Sequence, residues 1–269
     1  MGKFTIPIIP VIVMIGQSNE GGHNNNAVNA TITSEANGFI FYKPDWTSTN
    51  NGTWQTPIAA GVNNAQYTRI PTFNDIGIEL KLANLMYTHN GLKHRFIKLT
   101  YGGAEVTKMV GETDLNPDSV GEYWDIAMKY TYKNAIEQLA GSGKVVVKAI
   151  TFHQGEGEGA ISETVANDYY KVGVVDFENP LPFFFQELRS FHPTLATAKI
   201  VMTKVYTDSA GYPYTSNVAA RQLAYVNDNT SVSIIDMDND VIFSDSGVHW
   251  NAVTQELKAN KIFDIIKNY

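Results

Sequence analysis

The sequence predicts an α/β protein, a three-layer α/β/α sandwich on a mostly parallel sheet. Two observations predict it. Short runs rich in Val and Ile recur at 11–15, 96–100, 145–152, 200–206 and 232–235, and they are mostly apolar without alternation. Strands read this way when both faces of a parallel sheet are covered. Helical patterns separate the runs, and strand–helix–strand repetition implies right-handed crossovers with helices on both faces. A length of 269 residues suits one large domain over 1–269 rather than two small ones.

The elements follow in order. Pro7 and Pro10 suit the start of the first strand. The apolar stretch 6–15 resembles the core of a signal peptide, but it runs into Gly16-Gln17-Ser18-Asn19 with no small-residue cleavage site between. The expectation is a chain that begins at its first strand. A helix is predicted over 76–87, with Ile78, Leu82, Leu85 and Met86 as its apolar positions. A second, over 123–139, opens on an acidic turn and stops at Gly141-Ser142-Gly143. Residues 162–190 hold helical stretches broken near Glu178-Asn179-Pro180. Helices over 216–227 and 251–267 complete the series, the last with Asn251 as its N-cap. The segment 23–74, rich in Asn, Thr and Gly, breaks the rhythm; a connection this long is functional or carries minor strands.

Composition narrows the partners. A net charge of −7 argues against nucleic acid or an anionic membrane, which require basic patches. The absence of cysteine excludes disulfides, thiolate metal sites and a cysteine nucleophile. No apolar run is long enough to span a bilayer. The expectation is a soluble chain, in the cytoplasm or in an extracellular or virion-associated assembly. Asp236, Asp238 and Asp240 alternate as calcium ligands do, but Val241 stands where an EF-hand loop needs Gly, so they read as a solvated turn. No metal or cofactor is expected.

Reactive residues of open parallel sheets sit past the carboxyl ends of the strands. The first run ends in Gly16-Gln17-Ser18-Asn19, the second in Tyr101-Gly102-Gly103 and the third in His153-Gln154-Gly155-Glu156. Asp245-Ser246-Gly247-Val248-His249-Trp250 precedes the last helix. Together they hold the parts of an acyl-transfer site. Ser18 needs a base, and His249 is one. Glycine N–H groups and the Gln154 carboxamide can stabilise an oxyanion. Glu156 or Asp245 can orient the imidazole. Each residue also has a plainer reading: Ser18 and Gly102-Gly103 as turn residues, His249 as a packing group, Gln154 as a partner for buried backbone. Of the other histidines, His23 and His153 are the two placed to line a cleft.

These motifs resemble those of the SGNH hydrolases, in the branch holding sialate O-acetylesterases and acetylxylan esterases. That branch writes its first motif G-Q-S-N, its second with Gly-Gly after a strand, its third (W/H)-Q-G-E, and its last V-H or I-H followed by an aromatic. Asp75-Ile76-Gly77-Ile78-Glu79, Trp124 and Arg221-Gln222 also fall where the branch has such residues. The resemblance covers nearly the whole chain. It implies a flavodoxin-like, mostly five-stranded parallel sheet in the order 2-1-3-4-5. It also implies a metal-free Ser–His–acid mechanism without cofactor. Ser18 is then the nucleophile and His249 the base, and the oxyanion hole comprises the Ser18 N–H, the Gly103 N–H and the Gln154 side chain.

One departure stands out. The branch has Asp three residues before its His; here that residue is Ser246, and Asp245 is one position further away. The acid is therefore Glu156 or Asp245, with Glu156 preferred because a rigid strand end needs no loop distortion. The branch acts on short acyl esters, mainly O-acetyl groups on sugars. Gln17, Asn19, Trp46, Trp54, Tyr101 and Trp250 are the expected substrate-contacting residues, the aromatic ones as stacking faces for a small-molecule or polysaccharide ester. The alternatives are a thioesterase or general short-chain esterase, a non-catalytic carbohydrate-binding descendant of the fold, and a flavodoxin-like binder of flavin or nucleotide.

Overall fold

A computed structural model describes residues 6–22, 38–42, 53–55, 77–100, 102–103, 105–106, 128–174, 179–209, 211–244 and 247–269. Seven strands are seen: β1 (Ile8–Gly16), β2 (Gly38–Tyr42), β3 (Thr53–Gln55), β4 (His94–Thr100), β5 (Lys144–His153), β6 (Lys199–Thr203) and β7 (Val232–Ile235). They form one sheet in the order β3-β2-β4-β1-β5-β6-β7. The five expected strands stand in the expected order. The long segment adds two more at one edge: β2 pairs in parallel with β4, and β3 closes the sheet antiparallel to β2.

Eight helices are described: α1 (Ser18–Gly21), α2 (Glu79–Asn90), α3 (Lys129–Glu137), α4 (Glu156–Ile161), α5 (Glu163–Asp168), α6 (Pro180–Phe191), α7 (Thr215–Asp228) and α8 (Ala252–Ile266). They cover both faces of the sheet, and the period of two along β1 shows how. Val11, Val13 and Ile15 point into a core with Tyr132 of α3, Leu181 and Phe184 of α6 and Val218 of α7. Ile12 and Met14 point into the opposite core, with Leu82 and Met86 of α2 and Ile262 and Ile266 of α8.

Local chemistry sets the helix ends. The Asn251 side chain accepts the Thr254 N–H at 3.0 Å, the N-cap expected for the last helix. Helix α2 starts at Glu79 rather than 76, and Glu79 Oε1 accepts both the Gly77 N–H at 3.1 Å and the Lys98 ammonium at 3.0 Å. Pro180 opens α6, consistent with the break read at Asn179-Pro180. Helix α4, directly after the third motif, was not among the predicted elements.

The end of β1 depends on a glycine. A Cβ at Gly16 would lie 2.1 Å from the His153 carbonyl oxygen, and its φ of 155° is one that L side chains rarely adopt. Its absence lets the chain turn while the Gln17 N–H still donates to that carbonyl at 3.1 Å. This turn delivers Ser18 to the carboxyl edge of the sheet. Among the described residues no helix is long and apolar enough to cross a membrane.

Candidate active site

Ser18 opens α1 immediately beyond β1 and is 8% exposed, the most exposed residue of the buried stretch 17–20. His153 and Gln154 follow at the end of the adjacent β5. Gly102 and Gly103 follow β4 on the other side, with Gly103 at a positive φ of 72°. His249 is half-buried in a loop tied at its base by a bridge between Phe243 and Trp250. Within that loop the Ser244 N–H and hydroxyl both donate to the His249 carbonyl, at 2.8 and 3.1 Å. The four sequence segments thus meet at one edge.

Asn19 fixes two of them relative to each other. Its Nδ2 donates to the Val248 carbonyl at 3.1 Å, and its Oδ1 accepts the Trp250 N–H at 2.9 Å. These backbone groups flank His249. The residue after the candidate nucleophile therefore grips the chain on both sides of the candidate base. Gln255 of α8 holds Asn19 in turn, donating to its carbonyl at 2.8 Å.

Glu156 is the second hub. Its Oε2 accepts from Gln17 Nε2 at 2.5 Å, and its Oε1 from Asn19 Nδ2 at 2.8 Å. His153 Nε2 lies 3.1 Å from Oε1, at ion-pair distance though not aligned as a hydrogen bond. Behind His153, Lys258 Nζ donates to its Nδ1 at 3.1 Å and to Glu20 Oε2 at 2.5 Å. The Thr151 hydroxyl donates to the other Glu20 oxygen. An ammonium only donates, so Nδ1 is the acceptor and the ring proton sits on Nε2, facing Glu156.

The electrostatics agree with that assignment. Burial pushes the His153 imidazole below its ordinary value, so it is neutral. For Glu156, burial alone would raise the pKa; attraction to the facing His153 ring, strongest when that ring is protonated, the Asn19 amide and its own backbone N–H outweigh it and hold the carboxyl at about 2. Glu20, Lys258, His153 and Glu156 form a buried chain behind the Ser18 turn, each at most 3% exposed. Sequence reasoning missed Glu20 and Lys258 altogether. Charged residues on a short turn and a long helix carry no mark of burial, and only their meeting across 238 residues reveals the pair.

Gln154 is fully buried, and its Nε2 donates to Glu158 at 3.0 Å. Its carbonyl accepts from Gln222 Nε2 at 2.8 Å, while Gln222 Oε1 accepts the Val205 N–H at 2.8 Å. Gln222 thereby locks the end of β5 to the end of β6.

Four expected substrate contacts have partners within the protein. Gln17 and Asn19 are 3% and 2% exposed, and their carboxamides are spent on Glu156 and the His249 loop. Trp250 is fully buried, its ring 4.4 Å from that of His153, so it offers no face to a sugar. Trp54 is half-buried at the edge strand β3; its indole N–H donates to the Ala135 carbonyl of α3 at 3.2 Å, and Arg95 lies over its ring. Trp46, Tyr101, Trp124, Asp245 and Ser246 lie outside the described residues. Asp236 and Asp238 pair with Lys204, and Asp240 with Lys261.

A family model described as "carbohydrate esterase, sialic acid-specific acetylesterase" matches residues 9–265. Among solved structures, a protein from Arabidopsis thaliana is similar at a TM-score of 0.70 and 14% identity, over 97% of this chain and 99% of that one. A carbohydrate acetylesterase from Xanthomonas citri is similar at 0.58 and 12%, over 96% of this chain and 56% of that one. NanS is similar at 0.58 and 10%, over 98% of both chains. At such identities the likeness is one of fold. A comparison with curated proteins by sequence returned no match.

Proposed function

The chain belongs to the carbohydrate esterase family of sialic acid-specific acetylesterases and is a carboxylic ester hydrolase; from that premise we propose that it removes O-acetyl groups from carbohydrates, with Ser18 as nucleophile and His249 as general base. The observation that carries the assignment is the Asn19 clamp. One carboxamide beside Ser18 holds the backbone on both sides of His249. Positioning of this kind converts two distant side chains into a reacting pair.

In the proposed reaction His249 takes the Ser18 proton as Oγ attacks the acetyl carbonyl carbon. The tetrahedral oxyanion is met by the Ser18 and Gly103 N–H groups and the Gln154 side chain. His249 then protonates the departing sugar oxygen, leaving an acetyl-serine. Water, deprotonated by His249, attacks this ester; acetate leaves and Ser18 regains its proton.

We assign the orienting acid to Asp245. Glu156 accepts from Gln17 and Asn19 and faces His153, so its work lies behind the turn. Asp245 follows Ser244, which bonds the His249 carbonyl. The test of the activity is acetate release from a panel of acetylated sugars and polysaccharides, with Ser18→Ala as the blank. Release from at least one acetylated sugar, absent in the variant, supports the reading. Equal release by the variant overturns it.

A further inference from the structure

Among the buried titratable groups that the mechanism leaves without a role, Glu158 lies nearest the candidate oxyanion donors. Glu158 is fully buried in the first turn of α4. Its Oε1 accepts the Val106 N–H at 2.5 Å, and its Oε2 accepts from Gln154 Nε2 at 3.0 Å. Val106 stands three residues after Gly103, on the connection leaving β4. A single carboxyl group thus joins two of the three segments that carry the candidate oxyanion donors, and it sits beside one of those donors.

We propose that Glu158 is a positioning residue for ester hydrolysis, a buried carboxylic acid that holds the Gln154 carboxamide and the Gly103 loop at one spacing while placing no charge against the oxyanion. The proposal rests on the assignment of Gly103 and Gln154 as oxyanion donors. Its physical basis is the cost of a second negative charge. A carboxylate beside the developing oxyanion would raise the barrier that the donors lower. A carboxylic acid keeps the geometry and removes the repulsion.

The surroundings favour the protonated form. Burial pushes the Glu158 carboxyl up to about 8, against the bonds from Val106, its own N–H and Gln154; the Glu105 carboxylate pushes it the same way. Tyr169, buried at the end of α5, and Glu156 in the same helical turn are the other acidic groups around it. From α7 comes Gln222, which is neutral, and from β5 come Gln154 and His153, the latter neutral through burial. Glu158 therefore keeps its proton at neutral pH and loses it only in mildly alkaline solution.

The experiment measures kcat and KM with p-nitrophenyl acetate from pH 6 to 9.5 for the wild type, Glu158→Gln and Glu158→Ala, with Ser18→Ala as the blank. Gln is the isostere of a protonated Glu. The wild-type kcat should fall along an alkaline limb centred near 8. Glu158→Gln should lack that limb and outperform Glu158→Ala at pH 7. Glu158→Ala should lose about 10²-fold in kcat, the size of losing one oxyanion donor, with KM changed far less. Urea unfolding gives a readout independent of activity. Between the ordinary value of 4.5 and about 8 the folded state holds a proton that the unfolded state has lost, so this group lowers wild-type stability as pH rises through that window. The midpoint of Glu158→Gln relative to wild type should accordingly rise from pH 5 to pH 8. A limb unchanged in Glu158→Gln, or no such drift in midpoint, overturns the proposal. If Glu158→Ala does not fold, the Glu158→Gln profile decides. Loss of all activity in Ser18→Ala beside wild-type behaviour of both Glu158 variants refutes this inference alone; full activity in Ser18→Ala refutes the nucleophile assignment beneath it.

Discussion

Asn19 Oδ1 accepts the backbone N–H of Trp250 at 2.9 Å, joining positions 231 residues apart. With the bond from Nδ2 to the Val248 carbonyl it determines where His249 stands relative to the turn of Ser18. Asn19→Ala should therefore act first on kcat. A displacement of the base by about 1 Å can cost about 10²-fold, and KM should move much less. The folded protein should also lose about 1–3 kcal/mol, because buried partners are left unsatisfied. Steady-state kinetics and urea titration check the two effects separately.

The buried pair of Glu20 and Lys258 gives a stability prediction. Both side chains are fully excluded from solvent, and Nζ lies 2.5 Å from Oε2. Lys258→Met strands a carboxylate that retains only the Thr151 hydroxyl among its bonds described here, and should cost about 3–5 kcal/mol. The double variant Glu20→Gln/Lys258→Met removes both charges and should recover a large part of the loss. A double variant no more stable than Lys258→Met would show that the pair is not the unit that matters.

Glu156 separates from Asp245 in kinetics. Asp245→Asn should lower kcat by as much as about 10⁴-fold, the effect of losing the acid that orients a catalytic imidazole. Glu156→Gln keeps a carboxamide in the network behind the turn and should cost less. The reverse ranking would move the acid to Glu156.

Glu156 also predicts an acid-side dependence of stability. Its folded pKa, about 2, lies below the ordinary 4.5, so its contribution is complete above 4.5 and is lost as pH falls toward 2. Wild type should thus lose stability between pH 4.5 and 2 more steeply than Glu156→Gln. Thermal or urea midpoints across that range provide the comparison.

Much of this architecture was legible in the chain. Parallel strands covered on both faces must be apolar throughout, which is why β1, β4, β5, β6 and β7 stood out and their ends located the motifs. Strand β3 spans three residues and β2 five, and both lie in a segment whose Asn, Thr and Gly hide their pattern. Asn251 declared its cap because capping is a local bond. Buried charge was not legible. Lys98 lies within an apolar strand and Lys258 within an amphipathic helix, and each is buried by a partner far off in sequence. The burial of Trp250 was hidden for the same reason: an aromatic beside a motif looks like a platform, and only tertiary packing shows it fully buried against the His153 ring.

The central claim is that Ser18 is the nucleophile of an esterase. The most direct measurement is covalent labelling with a fluorophosphonate, read by peptide mass spectrometry alongside hydrolysis of p-nitrophenyl acetate. The account predicts one adduct, on Ser18, formed in step with the loss of activity and absent in Ser18→Ala. Full labelling at another residue, or loss of activity with Ser18 unmodified, would contradict it.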